Sequence, residues 1–112
     1  MKDFERDWQK VLDFFKQKFT IGETPELDTI LFLIGVQELG MIKPEFSKEE
    51  KLNLMHIATC KLLEPYGYYQ FHYRDSEGWP HFKKLKELDS LNDQERFIKE
   101  AVINYFINNA LI

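Results

Sequence analysis

Few residues in this chain combine a reactive type with a spacing that could support chemistry. His56 and Cys60 are four positions apart, so on a helix they lie on one side a turn from each other. That is the arrangement of two metal ligands, or of a thiol beside its base. A nucleophilic pair also needs a third group to orient the base, and the sequence reveals none. The ordinary alternative is a buried, hydrogen-bonded histidine beside an inert buried thiol.

His72 and His81 flank the stretch DSEG. If Asp75 to Gly78 form a four-residue hairpin loop, Arg74 pairs with Trp79, Tyr73 with Pro80 and His72 with His81, which brings the two imidazoles within reach of one metal ion. Two nitrogens do not close a site, so a carboxylate such as Glu77 would have to complete it. One change of loop length separates the histidines and leaves two half-exposed polar residues.

Glu38 is a third candidate. It falls in the last turn of an apolar helix, where a negative charge opposes the helix dipole. A ligand-binding or proton-transferring carboxylate is one reading; a side chain pointing into water or paired with a base is the other. Around the expected hairpin, Tyr66, Tyr68, Tyr69, Phe71, Tyr73, Trp79 and Phe82 crowd together beside Arg74, Lys83, Lys84 and Lys86. Such aromatics line a pocket, stack on single-stranded nucleic acid, or clamp a hairpin that is barely stable alone.

The elements that must position these residues follow from periodicity and punctuation. From Asp3 to Phe19, the residues Phe4, Trp8, Val11, Leu12, Phe15 and Phe19 share one helical face, and Gly22 permits a break afterwards. Thr24, Pro25 and Glu26 predict the start of a second helix that runs from about Pro25 to Leu39, with Gly40 as the left-handed residue after its end. Its middle, ILFLIGV, is apolar on every side and suits a buried helix. Ser47 and Glu50 have the spacing of a capping box for a third helix, which should end near Leu63 because Pro65 follows. Alternation between Tyr68 and Leu85 predicts the hairpin, in which Pro80 needs an edge or a bulge.

Ser90 or Asn92 caps a last helix, whose face of Phe97, Ile98, Ala101, Val102, Tyr105 and Phe106 suits a core. Ile103, Ile107 and Leu111 make a second stripe, more apolar surface than one neighbour can cover. The fold class expected is mainly α: about four helices packed as a small bundle, with one β-hairpin at about residues 68–85 between helices three and four. One domain over residues 1–112 is expected from the length.

Composition narrows function by exclusion. A net charge of -4 gives no general attraction for phosphate or anionic lipid and disfavours nucleic acid as a partner. With 44% hydrophobic and 30% charged residues the chain has the balance of a folded domain, and ten Phe against three Met predict a core of large rings. One cysteine makes no intrachain disulfide, and the acidic start MKDFERD is not a signal region, so a cytoplasmic location is expected. The apolar run Ile30 to Val36 falls far short of the ~20 residues that span a bilayer. Glycine-rich phosphate loops, HExxH, paired CxxC, GxSxG and calcium loops are missing from the sequence, which specifies no cofactor.

Three stretches, ILFLIGVQELG, FSKEEKLNLMHIATCKLLEPYGYY and the region from DSEGWPHF to EAVINYF, resemble a family of short uncharacterised bacterial proteins. Glu38, Gly40, His56, Cys60, Tyr68, Trp79, Pro80 and His81 are the positions most like its motifs. The resemblance covers about residues 25 to 107 and implies one intact domain; it supplies neither substrate nor catalytic residue.

The expected function is therefore noncatalytic: a cytoplasmic protein-interaction domain, homodimeric through Ile103, Ile107 and Leu111. The competing expectation is a small-molecule or metal-binding protein, or an enzyme, that uses Glu38 and His56 or His72 and His81, near Cys60, Trp79 and the hairpin. A third, single-strand binding by the hairpin, predicts affinity that falls with salt.

Overall fold

A computed structural model describes residues 3–19, 24–41, 43–88 and 94–112. Among them the fold is mainly α-helical: α1 (Phe4–Phe19), α2 (Leu27–Leu39), α3 (Lys48–Leu63), the strands β1 (Tyr69–Arg74) and β2 (Pro80–Lys84), and α4 (Gln94–Asn108). A short 3₁₀ turn, Glu64–Tyr66, joins α3 to β1. The break expected at Gly22 and the cap expected at Ser90 or Asn92 lie outside the described residues. Two compact units emerge, residues 1–27 with 90–112, and residues 28–89.

In the first unit, α1 and α4 meet through aromatic rings. Phe14 stands edge-on to Phe106 at 5.1 Å between centroids, and Phe15 lies 5.4 Å from the same ring. Val11, Phe15, Val102 and Phe106 are almost completely buried, which is the face the periodicity of each helix predicts. Toward the start of α1 the contact changes character: Arg96 lies over the Phe4 ring at 4.3 Å and Lys99 over Trp8 at 5.3 Å, cations on aromatic faces. The last turn of α4 closes with Leu111 N–H donating to the Phe106 carbonyl and Ala110 in a left-handed conformation, φ 55°.

In the second unit, Leu39, Phe46, Leu54 and Ile57 form a core cluster, with Phe32, Val36, Trp79 and Phe82 packed on it. Gly35 is why α2 can approach α3 so closely, since a Cβ there would overlap the Leu54 carbonyl. The helix begins at Leu27, two residues beyond the expected start, and ends as expected with Gly40 left-handed at φ 77°. The Ser47 capping box of α3 is present in both directions: Glu50 N–H donates to Ser47 Oγ at 3.1 Å, and Ser47 N–H to Glu50 Oε1 at 2.9 Å.

The hairpin pairs antiparallel and packs against α3. Its edges carry specific features. On β1, the Phe71 amide donates outward to Glu64 Oε2 at 2.8 Å, and His72 is an extra residue that bulges from the ladder. On β2, Pro80 has no amide to offer, and Lys83 and Lys84 follow close behind it.

Candidate functional site

The hairpin turn is organised by one carboxylate. Asp75 Oδ1 accepts from the Glu77 and Trp79 amides, each at 3.0 Å, and Oδ2 lies 2.9 Å from His81 Nε2. Its backbone completes the turn: Gly78 N–H donates to the Asp75 carbonyl and Asp75 N–H to the Trp79 carbonyl, both at 2.9 Å. Gly78 sits at φ 91°, as the bulged last residue of such a turn requires. The loop inside the Asp75 and Trp79 pair is thus three residues, one fewer than the sequence suggested.

That difference corrects the expected pairing. Arg74 stands opposite Pro80 and Tyr73 opposite His81, not opposite Trp79 and Pro80. The bulge at His72 then absorbs the slip, so that Phe71 meets Phe82 in the register expected. His72 has no partner across the ladder. The ring that faces His81 belongs instead to Tyr73, stacked on it at 4.6 Å and 4° between planes. Two imidazoles opposed on one face do not occur, and among the described residues no group of three or more His, Cys, Asp or Glu side chains is placed to hold a metal ion.

His56 and Cys60 are neighbours, with Nε2 and Sγ 3.5 Å apart, but the expected burial of the histidine is not found. His56 is exposed and Cys60 is buried. Leu52, one turn before His56, is itself 58% exposed; the buried side of α3 is built from Leu54, Ile57, Ala58, Leu62 and Leu63. Burial pushes the Cys60 thiol up to about 11, so it stays protonated and poorly nucleophilic at neutral pH. A weakly held thiol and imidazole are what remain of the nucleophilic pair.

Glu38 is half-buried at the end of α2. What answers the dipole there is Arg74, which donates to the carbonyls of Glu38 at 2.9 Å, Leu39 at 3.3 Å and Gly78 at 2.9 Å. One guanidinium therefore fastens the hairpin turn to the helix end. Nothing local in the sequence announces this, because the partners are 35 and 36 positions apart. The role of Asp75 was more accessible, since Asp opening a turn that ends in Gly is a familiar side-chain-to-backbone motif.

Beside the turn lies an open cleft of about 430 Å³ lined by Glu49, Glu50 and Asn53 of α3 and by Asp75, Glu77, Trp79 and His81. Of the six site candidates picked from sequence, it gathers only Trp79 and His81. Lys43 neutralises Glu50 at 2.6 Å and holds its carboxyl below the ordinary range, helped by the Ser47 amide. His81 and the Trp79 and Glu77 amides do the same for Asp75. A smaller cavity of about 230 Å³ in the first unit, lined by Phe4, Asp7, Arg96, Glu100, Ile103 and Asn104, has its cation engaged with Glu100 at 3.2 Å.

The second stripe of α4 divides. Ile103 is buried at 4% exposure, which removes it from the expected dimer surface, whereas Ile107 is 44% and Leu111 and Ile112 are each 37% exposed. Among the described residues, no helix is long and apolar enough to cross a membrane.

Compared with known protein families, curated proteins and solved structures, the chain matches none, so the resemblance carried by its three stretches gains no family model.

Proposed function

We propose that this chain is a noncatalytic cytoplasmic protein-contact domain that self-associates as a homodimer through the end of α4. The observation that carries the reading is the display of Ile107, Leu111 and Ile112, three large apolar side chains exposed within six residues. Water contact at such a cluster is unfavourable, and a two-fold contact would set each chain's cluster on its copy. The lone, buried thiol of Cys60 suits a reducing compartment.

Light scattering across a concentration series tests the association. The dimer mass should grow in by about 100 μM, the range expected of a small interface. The double substitution Ile107→Asp and Leu111→Asp should leave the helical circular dichroism intact and hold the chain as a monomer. A parent chain that is monomeric throughout the series overturns self-association.

A further inference from the structure

We propose that the cleft between the first turn of α3 and the hairpin turn, with the Tyr73 and His81 stack on its rim, receives an arginine-bearing apolar segment of a partner protein. The proposal rests on the protein-contact reading but not on self-association through α4.

Charge is the first argument. Four carboxylates line the cleft, and two have partners of their own: the Lys43 ammonium on Glu50 and the His81 imidazole on Asp75. Among the described residues the side chains of Glu49 and Glu77 make no hydrogen bond or ion pair. Arg74, the cation nearest Glu77 in sequence, is turned onto the carbonyls of Glu38, Leu39 and Gly78. The cleft is left with negative charge that a cation would complement. Glu49 and Glu50 also suit the dipole of α3, so carboxylates alone would not argue for a ligand.

Aromatic surface is the second. Trp79 packs on the core cluster and also lines the cleft, which fixes its indole as a wall. A guanidinium, planar and weakly hydrated, stacks on such a ring while donating to carboxylates at its edge; an ammonium does this less well. His81 lines the same cleft and carries the Tyr73 ring stacked upon it. Tyr73 is nonetheless 47% exposed, so the stack presents an aromatic face beside a lining residue, which a free amine could not cover. Apolar residues beside the arginine would.

The experiment is an amide NMR titration of the whole 112-residue chain with acetyl-Gly-Ser-Arg-Leu-Arg-Leu-Ser-Gly-amide. Three comparison ligands accompany it: the peptide with Glu for both Arg, the peptide with Gly for both Leu, and spermidine. Saturable shifts are expected at Tyr73, Glu77, Trp79 and His81, with a dissociation constant on the order of 100 μM that weakens with salt. Replacing Leu by Gly should weaken binding about fivefold, and so should Glu49→Gln with Glu77→Gln, or Tyr73→Ser, in chains whose remaining spectrum is unchanged. The proposal is overturned by the absence of saturation at ~2 mM, by equal binding of the acidic peptide, or by spermidine binding as tightly as the peptide. Shifts confined to Ile107 and Leu111 also overturn it while leaving the protein-contact reading standing. A silent hairpin in a chain that is also monomeric removes both.

Discussion

Arg74 donates a hydrogen bond to the Glu38 carbonyl at 2.9 Å, joining the first hairpin strand to the carboxyl end of α2. With its bonds to Leu39 and Gly78, one exposed side chain satisfies carbonyls at two separate chain reversals. Charged donors to backbone carbonyls contribute up to a few kcal/mol, less where water competes. Arg74→Ala should therefore cost about 1–2 kcal/mol in urea unfolding. Lysine lacks the fork, so Arg74→Lys should recover under half of that. An unchanged midpoint in Arg74→Ala would show that the contact contributes nothing.

Two glycines, Gly35 inside α2 and Gly40 just after its end, separate steric from conformational cost. Gly35→Ala gains helix propensity of about 1 kcal/mol but drives a methyl group into the Leu54 backbone. Overlap with backbone wins, and a net loss of about 2–3 kcal/mol is expected. At Gly40 a Cβ meets nothing within 4 Å, so Gly40→Ala should lose only about 1 kcal/mol, from its positive φ. Equal unfolding midpoints for the two variants would contradict the close packing of α2 on α3.

The hairpin turn should depend on acid. Because the folded state holds the Asp75 carboxyl below its ordinary value, its contribution is fully present above the unfolded value, about 4, and is lost as pH falls through the folded one. Amide shifts of Glu77 and Trp79, followed from pH 6 to pH 2, should move with one midpoint below 4. Asp75→Asn should remove that transition. A midpoint at or above the ordinary aspartate value would contradict the three-way hydrogen bonding.

The state of Cys60 is open to direct measurement. With its thiol pushed up to about 11 and its side chain buried, it should react with a chromogenic disulfide reagent at pH 8 on the order of 100-fold slower in the folded chain than in urea. Equal rates would mean that the thiol is exposed or activated, and would revive the pair with His56.

Ala110 occupies a left-handed position that glycine usually fills at a helix end. Ala110→Gly removes the strain of the Cβ and should stabilise the chain by about 0.5–1 kcal/mol, even though it adds freedom to the unfolded state. Thermal unfolding below saturation of any dimer reports it. A lower midpoint would count against the strained closure of α4.

The elements were legible in sequence wherever local rules act alone. The Ser47 and Glu50 box, Gly40 after α2 and the amphipathic face of α1 each depend on residues within a turn or two of one another. The hairpin's existence was legible too. Its register was not, because a three-residue loop and a four-residue loop place DSEG equally well, and only the left-handed Gly78 with a second bulge at His72 fixes the outcome. The cleft was half legible. Trp79 and His81 stood out by type, but Glu49, Glu50 and Asn53 looked like the ordinary solvated start of a helix until α3 was packed against the turn. His56 misled for a related reason: a helix that buries one side at its start and a wider arc at its end has no single apolar face.

The guarded edges of the hairpin bear on how this chain behaves when crowded. A two-stranded ribbon rich in aromatic residues is the kind of segment that templates fibrils, each strand recruiting the next through free backbone groups. Here the Phe71 amide is occupied by Glu64, His72 bends β1 out of a flat ladder, and Pro80 opens β2 without a donor. Recruitment finds few places to begin. The aromatic rings can stay in view of solvent without seeding cross-β growth.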